Sequence, residues 1–223
     1  MLAEVWHSLN QEQGLAMQKK DLVANALGDA MLELLNEKML DQISVADIVE
    51  RSGFCKRTFY NHFNDKHSLA AYVWRRSFDA CWTVNGRACT YLEFQKNYQQ
   101  AEQRLESFLM NTLTKDRPGQ DSLWQVIYDA SLQALIDVIK RNGHEEALTP
   151  EVILQLRFFV HGIHGCLKDV IASMWIRHDI EAMRVLTPQD ELQLMPQVLR
   201  PLILTPEELK LVYGAPDHTA KTA

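Results

Sequence analysis

The chain has 223 residues, 47% of them hydrophobic, with 9 glycines, 7 prolines and a formal charge of −6. That length can bury a core in one domain or two small ones, and the scarcity of glycine and proline favours long helices over a turn-rich β sandwich. The longest charge-free run in the C-terminal half, "FFVHGIHGCL", is too short to span a bilayer, and the start lacks a basic stretch leading into an apolar one, so no membrane span or secretory signal is expected.

Residues 20–38 place Val23, Leu27, Ala30, Met31, Leu34 and Leu35 at steps of three and four, which predicts an amphipathic helix with one buried face. "ISVADIVERSGF" predicts a short second helix. Ser44 and Asp47 form its capping box, and Gly53 supplies the left-handed turn at its end. "CKRTFYNHF" resumes helical spacing through Phe59 and Phe63. Asp65 is placed to cap a fourth helix, "KHSLAAYVWRRSF", with Leu69, Tyr72 and Val73 on its inner face. Helix, short helix, glycine turn and short helix make the plan of a helix-turn-helix, with Ala46, Ile48, Val49 and Phe59 expected at the crossing. Beyond it, 91–115 and 121–141 read as long helices separated by a turn on Pro118 and Gly119. Pro150 suits the first turn of a helix over 151–178, and two further helices are expected from Thr187 and Thr205, each a cap followed by proline. No strand is expected, and the fold class is all-α.

Charge is distributed unevenly along this plan. Between residues 51 and 66, Arg51, Lys56, Arg57 and Lys66 outnumber Asp65, a local +3 on a body that carries −9. Such a protein suits gripping a polyanion at one end. Lys56, Arg57, Tyr60 and Asn61 fall on the outward face of the third helix, while Phe59 and Phe63 fall on its inner stripe.

"ISVADIVERSGFCKRTFYNHFNDKHSL" resembles the tetracycline-repressor (TetR/AcrR) family of bacterial transcriptional regulators over roughly residues 20–80. The carrying features are "VADIVERSG", the run Thr58, Phe59, Tyr60, His62, Phe63, and the Asp65–Lys66 pair that opens helix four. Cys55 replaces the usual Ser or Thr cap of the recognition helix and is a poorer one. The resemblance implies an N-terminal three-helix helix-turn-helix domain (20–80, helix four as connector from 65) after an N-terminal extension (1–19). A helical dimerisation and effector domain (81–213) and a tail (214–223) would follow. The helix-turn-helix, about Ser44 to Phe63, would meet double-stranded DNA through Ser44, Lys56, Arg57, Thr58, Tyr60, Asn61, His62 and Lys66. Tyr60, His62 and Lys66 would be phosphate contacts, and Arg57 could pair with guanine. A homodimer would read a pseudo-palindromic operator in groove turns spaced ~34 Å or a multiple apart. A small-molecule effector would shift it between states by moving helix four. Repression is the commoner family mode; activation, or control through a protein partner instead of a small molecule, is the alternative reading.

In the C-terminal region, Phe94, Tyr98, Trp124, Tyr128, Met174 and Trp175 are expected to line the effector pocket. Phe158, Gly162, Gly165, Leu192 and Met195 are expected at the dimer interface, the glycines allowing close helix approach. His161, His164 and Cys166 do not suggest a metal, since 166 points about 160° away from 164 on a helix. His178 suits a helix C-terminus. No cofactor is expected, and G-x-S-x-G, Walker, H-E-x-x-H and dinucleotide-binding signatures are absent from the sequence, so catalysis is not expected. The four cysteines (55, 81, 89, 166) show no C-x-x-C spacing, in keeping with reduced thiols and a cytoplasmic, nucleoid-associated location.

Overall fold

A computed structural model describes residues 21–113, 122–177 and 188–214, except for the side chains of 102–106, 113, 170–177 and 188. The expectations for residues 1–19, the turn at Pro118 and Gly119, His178, the helix start at Thr187 and the tail beyond 214 lie outside these residues. The chain divides into two compact units. One holds the described residues up to Arg76 together with those from Ser107 onward to 113; the other holds Ser77–Glu106 and the remainder. The first boundary falls slightly before the expected residue 80. The end of the 91–115 helix packs with the N-terminal unit, where the Asn111 side-chain amide donates to the Leu35 carbonyl at 2.7 Å.

In the first unit, residues 21–35 form α1, followed by a 3-10 turn (Leu40–Gln42), α2 (Val45–Ser52), α3 (Lys56–His62) and the start of α4 (Lys66–Cys81). Leu27, Ala30, Met31, Leu34 and Leu35 of α1 are buried, as their spacing requires, and Val23 is half-buried. They meet Ile48 and Phe59 (both fully buried), Phe63, Leu69, Val73 and Trp74 in one core. Gly28 permits the close approach of α1 to α4: a Cβ there would sit 3.1 Å from a Val73 methyl. Below that contact, the Tyr72 hydroxyl and the Arg76 guanidinium both donate to Asn25 Oδ1, at 2.8 and 2.9 Å. Ala46 is exposed rather than at the crossing. Residues two positions apart on a helix are separated by about 200°, so Ala46 cannot share the inward face of Ile48.

The second unit holds the end of α4, most of α5 (Tyr91–Leu113), α6 (Leu123–Arg141), α7 (Pro150–Arg177), α8 (Pro188–Leu194), α9 (Arg200–Ile203) and α10 (Pro206–Tyr213). Ser122 caps α6, and Thr205 caps α10 in a box with Glu208. One element departs from the all-helical expectation. Thr83–Val84 (β1) and Arg87–Ala88 (β2) pair antiparallel around Asn85–Gly86, whose φ values of 50° and 78° mark a tight primed turn. The Asn-Gly dipeptide carries that signal in the sequence. Phe78, Trp82, Phe94 and Tyr98 pack beside the hairpin, Trp82 stacking on Phe94 with centroids 3.7 Å apart. Among the described residues no helix is long and apolar enough to cross a membrane.

Candidate nucleic-acid interface

The start of α2 is built by reciprocal capping. The Asp47 amide donates to Ser44 Oγ at 3.2 Å, and the Ser44 amide and hydroxyl donate to Asp47 Oδ2 at 2.7 and 2.9 Å. Lys38 adds an ion pair to the same carboxylate at 3.1 Å. The Ser44 amide first, then Lys38, hold the Asp47 carboxyl down at about 2. The hydroxyl expected to face phosphate is therefore already spending its proton inside the fold. Ser44→Ala is expected to destabilise this unit by about 1 kcal/mol in urea unfolding, because it orphans the Asp47 amide.

Gly53, at φ 74°, closes α2 in the left-handed conformation and turns the chain into α3. No side-chain cap holds the α3 N-terminus. Cys55 stands at the cap position, its sulfur 3.3 Å from the Thr58 hydroxyl. That hydroxyl and the first amides of α3 lower the Cys55 thiol below the usual range. Phe59 anchors the helix from within, and this orients the remaining face outward: Lys56, Arg57, Tyr60 and Asn61 are all exposed. Tyr60 leans edge-on against Phe59, centroids 5.4 Å apart, and keeps 57% of its surface open. Thr58 and His62 are half-buried at the flanks.

The basic stretch is narrower than its composition suggests. Arg51 pairs with Glu37 at 2.9 Å and Glu33 at 3.4 Å, both from the region of α1. Lys66 donates to three backbone carbonyls, Leu40 at 2.6 Å, Asp41 at 3.1 Å and Ile43 at 2.7 Å. Asp65 caps α4 as expected, accepting from the Ser68 amide at 2.8 Å. The cations left facing outward are Lys56 and Arg57, in the first turn of α3, where a helix N-terminus also favours anions. The fates of Arg51 and Lys66 were hidden from sequence reasoning because their partners lie 14 to 26 residues away.

In the second unit the residues expected at a pocket separate into two groups. Phe94 and Tyr98 belong to the aromatic cluster beside the hairpin. Tyr128 stacks on His161 at 3.8 Å, and Lys168 lies over Trp124. The Met174 and Trp175 side chains lie outside the described residues. Phe94, Tyr98, Trp124 and Tyr128 do not line the cleft of about 160 Å³ walled by Cys89, Tyr91, Val138, Arg141, Ile203 and Thr205. Of the expected interface residues, Phe158 is 70% exposed and Gly162 and Gly165 are open, whereas Leu192 and Met195 are buried within their own unit. Leu192 lies on the inward side of α8, whose Leu194 is exposed, and Met195 follows the helix into the core. Among the described residues no three metal-binding side chains converge.

A comparison with curated proteins found none that matches the chain. Residues 27–73, from α1 into α4, match the family model described as bacterial regulatory proteins, tetR family. The exposed, cationic face of α3, held on a packed three-helix core, lies inside that matched span. Residues 27–73 are therefore a TetR-family N-terminal DNA-binding domain.

Proposed function

We propose that this regulator acts as a homodimeric repressor that reads a pseudo-palindromic operator and is released by a small-molecule effector. DNA contact is assigned to Lys56, Arg57, Tyr60 and Asn61, with Thr58 and His62 at the flanks and the α2 N-terminus beside Ser44 toward phosphate.

The observation that carries the dimer is a stripe on α7. Leu154 and Phe158 are 53% and 70% exposed, and a Cβ added at Gly162 or Gly165 would meet nothing within 4 Å among the described residues. The spacing of four, four and three sets these residues on one helix face. Large apolar side chains followed by small residues suit a helix from a second copy, which could approach closely at the glycines. For the effector, the support is the cleft beside Arg141, whose guanidinium lies over the Trp82 ring with 5.7 Å to its centroid. Helix α4 contributes residues to both units, so an effector that favours one arrangement of the second unit has a continuous element to act on.

Light scattering combined with footprinting tests this reading. A dimer at micromolar concentration is expected, with protection of two half-sites ~34 Å or a multiple apart. Phe158→Asp is expected to yield a folded monomer that loses the paired footprint. A wild-type chain that stays monomeric and protects a single half-site would overturn the dimer and give the α7 stripe to a different protein.

A further inference from the structure

We propose that Lys66 is a positioning residue for DNA binding: its ammonium holds the entry to α2 against the start of α4 and does not take a phosphate. The inference rests on the reading of α3 as the DNA-contacting helix. An ammonium has three protons and no more. Here all three are matched by carbonyls, at 2.6, 3.1 and 2.7 Å from Leu40, Asp41 and Ile43. A phosphate could be reached only by giving up one of these bonds.

The placement explains why a lysine stands there. A cation in the first turn of a helix opposes the helix dipole, so Lys66 is unfavourable in isolation. Its carbonyl partners come from a 3-10 turn and the residue after it, before the first internal bond of α2 runs from the Ile48 amide to the Ser44 carbonyl. The Ile43 carbonyl thus lies outside the α2 ladder and needs a donor from elsewhere, which Lys66 provides. Ile43 immediately precedes Ser44, the α2 cap, while Lys66 follows the end of α3 by four residues. One ammonium therefore ties together the two ends of the segment that faces DNA. With Leu40 and Ile43 buried beneath it, the tie fixes where the α2 N-terminus stands relative to α3.

Two measurements test the proposal, using duplexes selected by the wild-type protein from a random pool. In the first, binding of wild type and Lys66→Met is followed against salt at a temperature where circular dichroism shows both folded. The variant is expected to lose about tenfold in affinity through lost preorganisation, with an unchanged salt slope. A phosphate contact would instead lower the slope by roughly 0.9 per lysine, near 2 for a dimer. Such a drop, or unaltered affinity, would overturn the proposal. In the second, which needs no variant to fold, lysines of the wild-type protein are reductively methylated with and without DNA. Lys66 is expected to react slowly in both states, whereas Lys56 reacts freely alone and is protected by DNA. Protection of Lys66 that arises only with DNA would return it to the phosphate-contacting set. If the random pool yields no salt-sensitive binder at all, the DNA-binding reading itself fails, a result separate from either outcome for Lys66.

Discussion

Replacing Lys56 and Arg57 together with Ala is expected to lower operator affinity by about 10³-fold while leaving the domain folded. Arg57 in bidentate contact with a guanine contributes about 1–3 kcal/mol of discrimination, and the proposed dimer doubles that contribution. Lys56 adds a phosphate contact in each half-site, so the double variant removes two phosphate contacts from the bound dimer. The salt slope should then fall by roughly 2. Stability should move by no more than about 0.5 kcal/mol, since both side chains are exposed and neither meets a carboxylate among the described residues. Arg51→Ala is the discriminating control. Its guanidinium is engaged by Glu37 and Glu33, so its loss should leave the salt slope unchanged. Fluorescence anisotropy over a salt series reads both variants. A slope that falls as much for Arg51→Ala as for the double variant would mean that those ion pairs open on DNA and that Arg51 takes part.

What was legible in the sequence was local. Ser44 with Asp47, Gly53, Asp65 and Thr205 were readable as caps because each acts within three or four residues of the backbone it satisfies. The same holds for Phe59 and Phe63, whose spacing alone assigns them inward. The Asn85–Gly86 hairpin was legible by the same rule, though a helical reading of the surroundings obscures it. Charge was not legible, because a cation's availability depends on partners brought near only by folding: Arg51 and Lys66 look identical to Lys56 in composition, yet α1 and the 40–43 turn claim them. Burial in the second unit fails similarly. Phe158 and Leu192 are equally apolar letters, and only the packing of α7 and α8 leaves one exposed and the other within the core.

Two opposed titrations in the second unit should hide one another, and single substitutions should expose each. His164 on α7 is half-buried against Ser131 and Tyr128 of α6. Burial, and secondarily the charge of His161, pull it down to about 4; its Nδ1 has no partner among the described residues, and its Nε2 lies 3.4 Å from the Ser131 hydroxyl. Glu191 on α8 accepts from the buried Gln95 amide at 2.6 Å, and burial pushes it up to about 7. Below pH 6.5 the unfolded chain protonates His164 while the folded chain does not. Stability from this group therefore falls as pH drops toward 4. Glu191 behaves oppositely: the folded chain keeps its proton up to about pH 7, whereas the unfolded chain releases it above 4.5. Its contribution is fully present below pH 4.5 and is lost as pH rises through 7. Each slope is at most about 1.4 kcal/mol per pH unit, so the two cancel over the shared window. Measured by urea unfolding from pH 6.5 to 4.5 and referred to wild type, His164→Gln should gain up to about 3 kcal/mol and Glu191→Gln should lose a similar amount. Profiles parallel to wild type in both variants would show that neither group is held out of water in the folded chain. A change in only one would leave the other group's burial as the error. The opposite signs make the pair its own control, because a general loss of packing would move both variants in the same direction at every pH.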